Sequence, residues 1–334
     1  MPYSQVKTPS FYINILEFYN SQGIGNILPD VLRTLPVTPK PITSFVQSNV
    51  YPILSSTVFP LPSNIGKFIA ILGHTLATDN IGSFRLSYNS PETYVSHSEF
   101  FNMDGAGTGK PAHNGYSIMN ISTFPDDVNN LQFNLSDSDG VSWSGTSNIG
   151  SIIVGTRYTM PHSPDLSLTM TRDYEGIKTI ETKGGASLSN SFYNKPPAWG
   201  NLGCWEIGNY PESKQLGASG RRAWDLSFSY LDDGDVLGLN THWGQSVWGQ
   251  FDANDYDTDD INDNGHYDFN ILTDNSFYSQ VIHKTQGGQI PFLFQPDKDD
   301  YTNMAICKFD QNSFRFQQTA PNLYSVSLKI REVW

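Results

Sequence analysis

Charge is scarce in this chain, and positive charge is scarcest. Only 16% of its 334 residues are charged, with 20 Lys and Arg against 33 Asp and Glu and a formal net charge of -13. An average globular protein carries about 25%. Neutralising a phosphate backbone requires clustered Lys and Arg. No such cluster exists, which argues against a nucleic-acid partner and, for the same reason, against adhesion to an anionic membrane. Cysteine is nearly absent: Cys204 and Cys307 allow one bridge at most, so a disulfide scaffold is excluded. The pattern predicts two buried thiols in a chain folded in a reducing cytosol. No stretch reaches the ~18 apolar residues of a membrane span. The opening "MPYSQVKTPS" lacks the apolar core of a secretion signal. Action outside a cell would then require release by lysis, as part of a virus particle.

Hydrophobic residues make up 38% of the chain and aromatic residues 13%. They fall mostly in short runs of period two, the spacing of a strand with one buried face. Tyr324, Val326, Leu328 and Ile330 alternate with Ser325, Ser327, Lys329 and Arg331. Phe314 and Phe316 flank Arg315, and "QQTAPN" supplies turn residues between the two runs, so the C-terminus reads as a hairpin. Trp224, Leu226, Phe228 and Tyr230 alternate in the same way, as do Leu166, Leu168 and Met170, then Phe84, Leu86 and Tyr88, and Leu131, Phe133 and Leu135. The unbroken run Phe68 to Leu72 in "KFIAILGHTL" reads as a strand buried on both faces. "FYINILEF", Phe11 to Phe18, also reads as a strand. Helices are few. Leu28, Val31, Leu32 and Leu35 have helical spacing, stopped by Pro36, Pro39 and Pro41. A second helix starts at Asp274 as N-cap, carries Phe277, Val281 and Ile282, and stops at Gly287 and Gly288. The expected fold is all-β: two β-sandwich or barrel-type domains with one or two short helices. The expected division is a connector over 1–45, a jelly-roll domain over 46–162 and a second β-domain over 163–334.

Few motifs carry chemistry. "GAGTGKP", Gly105 to Pro111, imitates a phosphate loop, but Asp104 stands where the first Gly is needed and Pro111 where Ser or Thr would bind magnesium. In "DDINDNGHYD", Asp260, Asn262, Asn264 and Asp268 occupy positions 1, 3, 5 and 9 of a calcium loop, with Gly265 at the sharp turn. Position 12 is Ile271, where a bidentate Glu belongs. Two readings stay open: weak Ca2+ binding through these four residues, or a solvated acidic hairpin tip within the Asp-rich stretch 252–268. His74 reads as a satisfied structural histidine at a strand end. Trp143, Trp199, Trp205, Trp243 and Trp248 lie in polar stretches, where Trp either packs at strand ends or stacks on sugars. No Gly-x-Ser-x-Gly elbow, metal triad or selected carboxylate pair is present, so no catalysis is expected.

The run "TQGGQIPFLFQPD" (Thr285 to Asp297) and the closing "AICKFDQNSFRFQQTAPNLYSVSLKIREVW" resemble the C-terminal ends of tailed-phage minor tail and distal tail proteins. There a helix leads to a Gly-Gly turn, a strand and a closing hairpin. "RRAWDLSFSYL" (Arg221 to Leu231) resembles the aromatic strand of the same ring-forming β-domain. The block 46–162, through "KFIAILGHTL" and "IIVGTRYTMP", resembles a galactose-binding type of jelly roll. The resemblance implies a virion structural protein of a phage tail, near its distal end, assembled in the host cytoplasm as a symmetric ring. Its implied partners are copies of itself, other tail proteins (tube, hub or fibre) and host surface glycan. A glycan-binding decoration module without a ring role is the alternative.

Overall fold

The computed structural model describes residues 6–23, 66–75, 113–121, 146–174, 178–190, 220–236 and 274–333, together with short strand segments at 26–27, 43–46, 51–55, 59–60, 83–88, 127–128, 131–136, 198–199 and 202–203. The chain is all-β. Ten strands form one antiparallel sheet: β1 (Ser10–Asn14), β2 (Gly66–His74), β3 (Gly115–Ile121), β4 (Ser151–Thr159), β5 (Thr169–Asp173), β6 (Arg221–Asp232), β7 (Phe292–Gln295), β8 (Ala305–Phe309), β9 (Phe316–Ala320) and β10 (Leu323–Glu332). Their spatial order is β5-β6-β10-β8-β7-β1-β4-β2-β3, with β9 alongside β10. Every residue of β1 is buried. One edge of β1 bonds to β4 and the other to β7, so strands from all three expected segments share one hydrogen-bonded sheet. The strand at 83–88 pairs instead with 131–136 in a separate four-stranded sheet, and the register sets Phe84 opposite Leu135 and Leu86 opposite Phe133.

Alternation along the central strands divides their apolar residues between two cores. Phe11 and Ile13 of β1, Phe292 and Phe294 of β7, and Ala305, Cys307 and Phe309 of β8 belong to one, joined by Trp224, Leu226 and Phe228 of β6 and Val326, Leu328 and Ile330 of β10. Tyr12, Leu293 and Ile306 point the other way and meet Phe68, Ala70, Leu72, Tyr116, Ile118 and Ile153. A strand covered on both faces needs an unbroken apolar run. That is why "FYI", "FLF" and "FIAIL" read as they do.

Four expectations change. The strand in "FYINILEF" ends at Asn14, and Ile15–Ser21 is helix α1. Asn14 turns the chain, because its side-chain Oδ1 accepts the Glu17 backbone N–H at 3.2 Å, an N-cap that frees the chain from the sheet ladder. Leu166, Leu168 and Met170 do not form a buried stripe: Leu166 is fully exposed, and every residue of β5 is exposed because β5 is an edge strand. In β6 the register slips between Phe228 and Leu231; Tyr230 sits at φ 63° and points to solvent, while Leu231 takes the core position. This is a β-bulge, which inserts one residue and reverses the alternation beyond it. The C-terminal hairpin forms, but β9 continues to Ala320 and the turn is only Pro321-Asn322, with Asn322 at φ 59°. Pro followed by a left-handed Asn is the preference of a type II turn.

The expected helix is present as a single π-helical segment, Tyr278–His283, but Asp274 is not its N-cap: the segment starts after Phe277, and Ser276 Oγ accepts the Ser279 N–H at 3.2 Å. It ends where Gly287 (φ 68°) and Gly288 (φ 95°) adopt conformations open chiefly to glycine. The expected helix at Leu28–Leu35 lies outside the described residues.

Candidate functional site

A cleft of about 440 Å³ opens where the end of β4 and the start of β2 meet the short helix α2 (Asp233–Val236), the residues leading into the π-helix and the turn after β7. Arg157, Tyr158, Thr159, Asp235, Asn275 and Lys298 line it, with Gly66 and Pro161. Sheet register fixes the Arg157 side chain, because Tyr12 lies opposite it on β1. The guanidinium carbon stands 5.6 Å from the centre of the Tyr12 ring, and Nε donates to Ser10 Oγ at 3.4 Å. Tyr12 is held in turn by its hydroxyl, which donates to Gln295 Oε1 at 2.8 Å. Tyr158 donates to the Asp235 backbone carbonyl at 3.1 Å and ties α2 to the sheet. Burial pushes both tyrosine hydroxyls far above their ordinary range, so they act as fixed donors and not as acids. Lys298 is anchored by its backbone N–H to Thr8 O at 2.9 Å, and its side chain is exposed.

Beneath the cleft lies a polar cluster. Asp274 Oδ2 accepts from Ser276 Oγ at 2.5 Å and Ser279 Oγ at 2.6 Å. Gln280 donates to the Asp274 carbonyl, and Lys284 donates to Gln280 Oε1. Lys284 is fully buried, and burial pulls its pKa down to about 7 against a smaller opposing pull from Asp274. A second buried charge is fully matched: Arg222 forks onto Glu332 at 3.0 and 3.2 Å, reaches Asn303 Oδ1 and Met304 O, and lies 5.4 Å from the Trp224 ring. Such a pair holds β6 against β10 and commits four of the five guanidinium N–H groups.

On the opposite edge of the sheet from β3, a hairpin leaves the structure. Strands Lys178–Glu181 and Ser187–Asn190 pair with Ile180 opposite Leu188. The turn closes through Gly185 N–H to Thr182 O at 2.9 Å, with Gly185 at φ 79°. A turn followed by a left-handed glycine is a standard hairpin closure. Every described side chain from 179 to 189 is exposed, including Ile180 at 65% and Leu188 at 60%. An isolated two-stranded hairpin is marginal in water. The edge strand β5 immediately precedes it and adds exposed Met170, flanked by Leu166 and Tyr174.

His74 is buried; its Nε2 lies 2.8 Å from Ser117 Oγ, and burial, assisted by His113, lowers its pKa to about 3. It is a neutral core residue, but not the fully satisfied one expected, because its buried Nδ1 has no hydrogen-bond partner among the described residues. Cys307 is buried and its thiol pKa is raised by burial. The proposed calcium residues Asp260, Asn262, Asn264 and Asp268 lie outside the described residues, as do Cys204, the 105–111 loop, and Trp143, Trp205 and Trp243 with Trp248. Among the described residues no three His, Cys, Asp or Glu side chains could hold a metal ion. Nor is any helix among them long and apolar enough to cross a membrane. Arg157, Asp235, Asn275 and Lys298 were not singled out in the sequence, since each comes from a different element and no local spacing links them. The hairpin did leave a local signal: "TKGGA" between two short strand-like runs. No family model, curated protein or solved structure matches this chain.

Proposed function

We propose that this chain is a structural component of a phage tail, a distal tail or tail-tip ring subunit that assembles as a symmetric homo-oligomer in the host cytoplasm and is carried in the virion. The observation that supports this reading is the exposed apolar pair Ile180–Leu188 on a hairpin that stands off the sheet beside an open, fully exposed edge strand. Unpaired edges and solvent-borne apolar hairpins invite strand pairing with another chain. A ring closes such contacts on every subunit, whereas a monomer leaves them in water. On this reading β5 and the hairpin meet a neighbouring copy, and the other surfaces meet the tube, hub or fibre. The chain has no catalytic duty in this role.

Light scattering of the purified chain tests the proposal. A discrete ring-sized species is expected, and Ile180→Glu with Leu188→Glu should convert it to a monomer that still unfolds cooperatively, at a lower temperature than the ring. A wild-type chain that stays monomeric at every accessible concentration would overturn it. Locating the chain in a density map of the particle then separates a ring position from a peripheral decoration.

A further inference from the structure

We propose that the cleft beside Arg157 is a binding site for an acidic saccharide, a sugar bearing one carboxylate or phosphate. The inference goes beyond assembly and stands whether or not the chain forms a ring.

Among the described residues, Arg157 is an arginine with no acidic partner. In a chain with 33 Asp and Glu against 20 Lys and Arg, a guanidinium ordinarily finds a carboxylate. Among the described residues Arg157 does not: its guanidinium meets the Tyr12 ring and, through Nε, Ser10 Oγ. Both of these orient the group through Nε and the guanidinium face; Nη1 and Nη2 have no hydrogen-bond partner among the described residues, and Arg157 lines the cleft. That edge is a planar fork matched to two oxygens of a carboxylate or phosphate. Stacking on a buried, hydrogen-bonded Tyr12 fixes the fork in advance, so binding costs little side-chain entropy. Lys298 is the second cation at the cleft; among the described residues it makes no ion pair, and the neighbouring Asp297 is paired with Lys7 at 2.7 Å.

The remaining lining selects against a simple polyanion. Asp235 faces the same cleft and repels a second negative charge, but its carboxylate accepts from hydroxyls. Asn275 and Thr159 both donate and accept. Two cations and several hydroxyl-matching groups around one cleft fit a molecule with one anionic group and several hydroxyls. A volume of about 440 Å³ falls within the range of small-molecule sites, ~300–1,000 Å³.

Calorimetry on the full chain tests this with glucuronate, glucose 6-phosphate, glucose and inorganic phosphate. At least one of the two acidic sugars is expected to bind, and the one that binds tells carboxylate from phosphate. Glucose should bind at least tenfold more weakly, on the order of one charge-assisted contact. Arg157→Gln and Lys298→Gln should each weaken binding about tenfold, and Arg157→Lys should not restore it, because the ammonium lacks the fork. Lys298 is the safer variant, since its exposed side chain supports nothing in the fold and the unfolding temperature should not move. The proposal is overturned if neither acidic sugar binds, if glucose or inorganic phosphate binds as tightly as the acidic sugar, or if Lys298→Gln and Arg157→Gln leave the affinity unchanged.

Discussion

Lys284 is a lysine with no water around it, and that has a measurable consequence. Its ammonium would have to be desolvated in the folded chain, so burial lowers its pKa from 10.5 to about 7. Between these values the unfolded chain holds a proton that the folded chain has released. Stability therefore rises with pH from about 7 upward, by at most ~1.4 kcal/mol per pH unit for one group. Cys307 limits the window. Its buried thiol keeps its proton while the unfolded thiol ionises near 9.0, which offsets the Lys284 trend above that pH. On the acid side His74 acts in the same sense as Lys284: the unfolded imidazole protonates near 6.5 while the buried one resists to about 3, so stability falls as pH drops through that range. Urea midpoints measured at pH 7.0, 7.5, 8.0 and 8.5 should climb for the wild type and stay flat for Lys284→Met. A climb of equal size in both would show that Lys284 is not the group responsible.

At the scale of elements, the junction between β1, α1 and β4 depends on a missing side chain. A Cβ at Gly155 would stand 1.7 Å from the Ile13 carbonyl oxygen and 3.0 Å from the Ile15 nitrogen, both backbone atoms. Neither can rotate away. Gly155 lies opposite Asn14, where the chain leaves the sheet to begin α1, so the two backbones must approach closely there. Gly155→Ala should cost about 3 kcal/mol or more, through overpacking of a site that has no flexible neighbour to yield. Gly184→Ala is the internal control, because nothing lies within 4 Å of its added Cβ. Equal unfolding temperatures for the two variants would refute the account. The Tyr230 bulge works in the other direction. It spends one residue of β6 to move Leu231 into the core and places an aromatic ring in solvent on the same strand that carries Trp224.

For the whole molecule, the decisive contact is made by β1, the first described strand. β1 joins β4 on one side, with Ser10 and Thr159 hydroxyls 2.9 Å apart across 149 residues, and β7 on the other, with Tyr12 and Gln295 bonded across 283. A chain beginning at residue 46 would lack β1 and α1. It would leave β4 and β7 with unpaired edges and remove Phe11, Tyr12 and Ile13 from two cores at once. Loss of cooperative unfolding, or aggregation on expression, is the expected result. A soluble 46–334 chain that melts at the wild-type temperature would show that the strand is dispensable. Adding residues 1–45 as a separate peptide should restore a cooperative transition only if β1 inserts between the two edges.

The sequence by itself determined the class of the fold and much of its local detail. Period-two runs marked β6 and β10, the unbroken apolar run marked β2 as buried on both faces, and Gly287 with Gly288 marked the end of the helical turn, because each of these follows from residues that are near neighbours in the chain. It could not determine which strands pair. Hydrophobic patterning says that Phe11 and Ile13 need a cover, yet any apolar strand would serve until loop geometry and register choose β4 and β7. The same limit hid the cleft. Arg157, Asp235, Asn275 and Lys298 are unremarkable where they stand in the chain, and only the closing of the sheet through β1 sets them around one space. The exposed edge at β5 and the outward Tyr230 were also tertiary decisions: alternation gives a strand two faces, but which face meets the core, and whether a bulge reverses it, depends on what packs there.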